Sequence, residues 1–236
     1  TTGASQSTDG VLSLTAADGS ATYDISAQNV SYAITSPEVP LPLNAGMSEV
    51  GFRITLPTAP SDAPTDVGLG LTFAGITLSE TIWNMLDPSE ALPRDPATLL
   101  LDISGLVTPN AAFLEPESMV AGEVPGELNA LTLNDLQVAA AGAKLTGAGD
   151  FTFDNSDLQT FGGMPRPNGS VTFNIAGANA LIDKLIAMGM LTSEDAMGAR
   201  MMMSMFAVPG EDPDTLTATI TVNEQGHVLA NGMRIQ

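Results

Sequence analysis

The chain has 236 residues, 44% of them hydrophobic, and 27 Asp+Glu against 7 Lys+Arg give a formal net charge of -20. That length can bury a core, and this acidity excludes nucleic acid, whose phosphates demand a basic patch, and disfavours an anionic membrane surface. With no cysteine in the chain, disulfides, thiolate metal sites and cysteine nucleophiles are excluded as well.

The acidity is read as a solubility device, with an acidic binding site as the alternative. Mean hydropathy of +0.18 fits a folded protein, and no apolar run approaches the ~20 residues that span a bilayer. Thr1-Thr2-Gly3 reads as the interior of something longer.

From the start, residues 1–36 alternate in the strand period, with a turn at Asp18-Gly19. Ser36-Pro37 and Pro40-Leu41-Pro42 are expected to break the ladder, because proline lacks a donor. Val50, Phe52 and Ile54 share one face of the next strand and Arg53 takes the other; the run from Pro57 to Pro64 is a surface loop. Val67, Leu69, Leu71 and Phe73 alternate with Gly68, Gly70 and Thr72, leaving one face nearly bare for close approach by another element. Ser79 is placed to cap a helix over Glu80–Leu86 that carries the only tryptophan, Trp83.

Leu99–Ile103 reads as a buried strand, and 108–127 as a loop with a short helix around Pro116–Val120. Further strands are expected at Leu131–Val138, Lys144–Phe153, Val171–Ile175, Leu216–Val222 and His227–Ile235. Thr215, Thr217, Thr219 and Thr221 make one face of a half-exposed strand, and the Asn223–Gly226 turn makes the last two strands a hairpin.

Between these strands, residues 178–206 carry helical periodicity. Leu181, Ile182, Leu185 and Met188 form one apolar face. Gly189 is suited to end the first helix in a left-handed conformation. Thr192 caps the second, with Asp195 three residues on, and Pro209-Gly210 stops it. Met197, Met201 and Met205 share a stripe, and Met202 and Phe206 make another, since successive residues stand about 100° apart on a helix. These side chains read either as core or as an adaptable surface for apolar ligands.

Catalytic constellations are scarce. His227 is the only histidine, beside a turn, so no histidine cluster exists for zinc. No G-x-S-x-G elbow occurs, and Gly147-Ala148-Gly149 lacks the third glycine of a phosphate cradle. Asp150, Asp154, Asn155 and Asp157 are dense in oxygen ligands but miss the spacing of a calcium loop, which leaves a turn of solvated carboxylates beside the calcium reading. Glu211, Asp212 and Asp214 carry the same ambiguity. Arg94-Asp95 reads as a loop clamp, with anion binding as the alternative.

LPRDPATLLLD (92–102), FTFDNSD with FGGMPRPNG (151–169), GANALIDKLIAMG (177–189), MGARMMMSMFAVPGEDPDTLT (197–217) and VLANGMRI (228–235) resemble a bacterial family of unknown function, domain-of-unknown-function family 2125. The resemblance spans at least 67–236. It implies an alphaproteobacterial, exported protein of the periplasm or envelope, here the C-terminal half of a longer secreted chain. It supplies no established activity, substrate or catalytic residue to carry over. The order of strand, G-x-P-x-G-like loop, strand and G-x-x-x-L-I-x-x-L helix (Gly163 to Leu185) is similar to AsmA-type envelope proteins, which build curved sheets with an apolar lipid groove.

The expected architecture is mainly β: a curved antiparallel meander with a helical hairpin at about 178–206 packed on it, or alternatively a two-layer β-sandwich with inserted helices. Residues 1–236 are expected as one β-rich domain, with a subdivision into 1–107 and 128–236 as the alternative. The expected function is non-enzymatic binding of a lipid or other apolar ligand between sheet and Met-rich helices, through Leu181, Leu185, Met197, Met201, Met202, Met205 and Phe206. A structural or self-assembling envelope protein is the alternative. No cofactor, metal, nucleic acid or transmembrane segment is expected.

Overall fold

A computed structural model describes residues 2–36, 39–113 and 125–236. Among them the chain forms twelve strands and three helices: β1 (Thr2–Ala17), β2 (Ser20–Ser36), β3 (Val39–Pro57), β4 (Thr65–Leu78), α1 (Glu80–Leu86), β5 (Ala97–Pro109), β6 (Gly126–Ala140), β7 (Ala143–Asp154), β8 (Arg166–Ala176), α2 (Ala178–Ala187), α3 (Ser193–Phe206), β9 (Val208–Pro209), β10 (Thr215–Val222), β11 (Val228–Ala230) and β12 (Met233–Arg234). All strands join one antiparallel sheet in the order β1-β2-β3-β4-β5-β6-β7-β8-β10-β11-β12, with β9 beside β10. The meander is therefore observed and the two-layer sandwich is not.

The period-two alternation sorts side chains between two faces. Because partners in register share a face, an unbroken apolar row crosses ten strands: Leu14, Tyr23, Ile54, Leu69, Ile103, Leu133, Gly149, Val171, Ile220 and Ala230. A parallel row runs from Leu12 through Ile25, Phe52, Leu71, Leu101, Leu136, Gly147 and Phe173 to Ala218. The opposite face carries Thr22, Thr55, Gly68, Ser104, Thr132, Asp150, Ser170 and Thr221 in one such row. Hydroxyls there bond across strands, as Thr22 to Thr55 at 2.8 Å and Thr172 to Thr219 at 3.0 Å.

Three expectations are corrected. Pro40-Leu41-Pro42 does not end the ladder: β3 runs through it, with Leu43 opposite Ile34 and Val39 opposite Ser36, so the prolines occupy an irregularity where no donor is demanded. The Leu99–Ile103 segment is central but not buried, since Leu99 is exposed and its neighbours only half-buried. His227–Ile235 is two short strands, broken by a turn at Asn231-Gly232 where both residues take positive φ. The helix expected around Pro116–Val120 lies outside the described residues.

The bare strip at Gly68 and Gly70 is approached by a side chain rather than by a new element. Arg53 lies over Gly70 on its way to Asp102, Nη2 to Oδ2 3.2 Å. Gly149 marks a tighter approach: a Cβ there would stand 2.3 Å from the Ser170 carbonyl and 2.5 Å from Val171 Cα. Backbone cannot retreat as a flexible side chain can. Gly149→Ala is therefore expected to destabilise the fold by about 1–3 kcal/mol, read as a lower urea midpoint with an unchanged slope.

Candidate functional site

The helical hairpin forms as its residues demand. Gly177 (φ +72) turns the chain from β8 into α2 in a conformation suited to glycine, and a Cβ there would meet the Gly142 carbonyl at 2.4 Å. Asp214 completes the start of α2: its carboxylate accepts from the Asn179 and Ala180 backbone N–H groups and from the Asn179 amide. Partial burial raises the Asp214 pKa, but the bonds from Ala180 and Asn179 outweigh it and leave the group below the usual carboxylate value. Gly189 (φ +71) follows the end of α2, and Thr192 Oγ1 caps α3 by accepting from Asp195 N at 3.1 Å. α3 ends at Phe206, at the expected limit of the hairpin, and Val208–Pro209 then pairs with β10 as β9.

α2 packs against β7 and against α3, and Arg200 ties the two helices through Asp183 and Asn179. Leu181 and Leu185 are half-buried in this arrangement. The inward side of α3 is Ala196, buried, with half-buried Ala199 and Met203. Met197, Met201, Met202 and Met205 are 67%, 62%, 61% and 58% exposed, and Phe206 37%. The helix thus turns its most apolar side outward. The seven residues singled out from the sequence do not converge on one enclosed surface.

A pocket that sequence reasoning missed lies at one end of the apolar face. Val107, Leu128, Phe153 and Pro167 extend that face beyond the Gly105–Leu131–Phe151–Gly169 row, and the loop after β7 brings Leu158, Phe161 and Met164 over them. The resulting cavity measures ≈ 610 Å³.

The acidic cluster noted in the sequence frames this loop. Asp154 binds Arg166 at 2.7 Å, and Asp157 stands 3.4 Å from the same guanidinium. The Ser156 hydroxyl, then Arg166, hold the Asp154 carboxyl below its usual value; the Thr160 hydroxyl, then its backbone N–H, do the same for Asp157. No group of three or more His, Asp or Glu among the described residues is arranged to hold a metal ion. The FTFDNSD and FGGMPRPNG segments are therefore the frame and part of the wall of the cavity. The available signal was the three large apolar residues inside a Gly/Pro loop, each exposed on a polar-loop reading.

The remaining candidates are structural. Arg94 clamps α1 rather than pairing with Asp95: it bonds Glu80, lies 3.8 Å from Glu90, and stacks 5.7 Å from the Trp83 ring centroid. Ser79 precedes α1, but its hydroxyl accepts from Asn44 N instead of capping the helix. His227 sits in the β10–β11 turn, its backbone N–H donating to Asn223 Oδ1 at 3.0 Å. Gly147 and Gly149 are strand residues on the apolar face, and the Phe173 ring overlies Gly147. No helix among the described residues is long and apolar enough to cross a membrane.

These features define a single-sheet antiparallel β protein with one apolar, half-open face and a cavity at its end. The chain belongs to the bacterial family DUF2125, described as an uncharacterized protein conserved in bacteria, whose model matches residues 1–235. No curated protein matches the chain.

Proposed function

We propose that this is a non-enzymatic protein of the bacterial envelope that holds an apolar ligand, a lipid acyl chain, along the apolar face of its sheet beside the helical hairpin. One observation carries the reading: among the described residues the apolar rows stay partly open to solvent over most of their length, Leu12, Phe52 and Val138 remaining 74%, 40% and 38% exposed, and are covered only at the far strands, where Ala218 and Ala230 are buried. Soluble proteins rarely leave so large a contiguous apolar surface to water unless it binds something. The half-open cavity beside Leu158 and Phe161 offers a recess for a chain tip.

The outward-facing methionines of α3 supply a further exposed apolar surface, adaptable to varied chains. The periplasmic location rests on the family resemblance, and the non-enzymatic reading on the scarcity of catalytic constellations in a sequence whose only histidine is His227. Native mass spectrometry of protein purified without detergent, followed by organic extraction, tests the proposal. The expected result is a complex heavier than the 24.2 kDa chain by the mass of a lipid recovered in the extract. Ligand-free protein that also takes up no fluorescent fatty acid overturns it.

A further inference from the structure

The two helices of the hairpin use different apolar side chains for different surroundings. Where α2 is half-buried it carries Leu181, Ile182 and Leu185. Where α3 faces water before its last residue, its large apolar side chains are all methionine: Met197, Met201, Met202 and Met205. Leucine would give the same area and an equally good helix. What methionine adds at these positions is a thioether sulfur.

The placement of those sulfurs is specific. At about 100° per residue, Met201, Met205 and Met202 stand about 40°, 80° and 140° around the helix from Met197. Gly198 stands at about 100°, inside that arc and one turn before Met201 and Met202. Glycine weakens a helix interior, and packing does not demand it here, because a Cβ at 198 would meet no atom within 4 Å. Long helical side chains lean back over the preceding turn. Met201 and Met202 therefore lean toward the open space above Gly198. Met205 leans over both, since positions three and four apart are neighbours at about 5–6 Å between Cβ atoms. Met197 leans away, toward the start of the helix.

We infer that the Met201, Met202 and Met205 thioethers form a three-coordinate site for a soft monovalent metal ion, Cu(I), over Gly198. Thioethers are neutral, soft donors, which select Cu(I) and leave Mg²⁺ and Ca²⁺ to oxygen ligands. With no cysteine and one histidine, the chain holds its soft donors as 12 methionines. Three rotatable bonds let each sulfur swing onto a shared ion, and the gap at Gly198 leaves room for it. A net charge of -20 draws cations toward the surface and stabilises a charge bound by neutral ligands.

Anaerobic titration of the chain with Cu(I) against a coloured Cu(I) chelator tests the site. The expected result is one tightly held Cu(I) per chain. Met201→Leu, Met202→Leu and Met205→Leu are each expected to weaken it by more than about 10-fold, the least that losing an outer-shell partner costs, while Met197→Leu leaves it unchanged. Leucine keeps the apolar area and the helix, so the fold and any purely apolar contact survive these exchanges. Gly198→Leu separates the site from stability: it strengthens the helix and raises the melting temperature, yet fills the gap and weakens Cu(I) binding. Failure to take Cu(I) from the chelator overturns the inference. So does binding that survives all three leucines together, or a loss in Met197→Leu equal to that in Met201→Leu.

Discussion

Leu101→Glu is expected to reduce binding of a fluorescent acyl probe by about 10- to 100-fold, while Leu100→Gln leaves it unchanged. The two leucines are adjacent in β5 but lie on opposite faces. Leu101 is in register with Leu71 and Leu136 in the middle of the apolar row, and Leu100 is in register with Thr72 and Gln137 on the polar face. A ligand chain lying on the apolar face would cover Leu101, and covering a leucine contributes about 1.5–3 kcal/mol, which is about 10- to 100-fold in affinity. A carboxylate there would also have to be dehydrated as the chain settled. Both positions are half-buried, so a general loss of folding would weaken the two variants together. Probe titration and thermal melts of both proteins separate the outcomes: equal loss in the pair, or none in Leu101→Glu, removes the apolar face as the binding surface.

Local chemistry made much of this architecture readable. Asp18-Gly19 sits between β1 and β2 with φ of +50° and +79°, the left-handed pair that a two-residue hairpin requires. Thr192 with Asp195, and Gly189, fixed the hairpin of helices for the same reason: each acts within one turn of chain. What alternation cannot report is whether an apolar face is covered. Leu99, Leu101 and Ile103 look identical in sequence whether a second layer stands above them or not, and here they line an open face. The methionines of α3 show the same limit, because a helix with apolar residues on two sides does not say which side meets the protein. Ala196, small and buried, marks the inward side, and the four methionines look outward. The cavity required a contact between β5, β6 and the 154–165 loop, distant in sequence, which no local pattern encodes.

Asp87→Ala is expected to lower the melting temperature by about 5 °C or more. Asp87 has no exposed surface although it ends a surface helix. Its carboxylate accepts from the Ala91 N–H at 3.0 Å, the Leu92 N–H at 2.8 Å and the Ser89 hydroxyl at 2.9 Å, closing the turn that carries the chain from α1 toward Arg94. Alanine leaves two backbone donors without that acceptor, and an unmet buried donor costs more than a hydrogen bond contributes. The Leu92 N–H, followed by Ala91, Ser89 and the Arg94 charge, outweighs burial and holds the Asp87 carboxyl below the usual carboxylate value. A depressed folded pKa gives stability that is complete above the unfolded value and is lost as pH falls through the folded one. Asp87, Asp154, Asp157 and Asp214 all shift in that direction, so their contribution should be constant from neutral pH to about 5 and decline below about 4. Acid also carries the chain toward its pI of ≈ 4.1, where self-repulsion is relieved and stability is raised. The two trends oppose in a single melting curve, but repulsion is nearly common to wild type and Asp87→Asn. Their stability difference isolates the carboxylate: it should be widest at neutral pH and narrow as Asp87 protonates below about pH 4. A difference that stays constant across this range would mean that the turn is held by something other than the charge of Asp87.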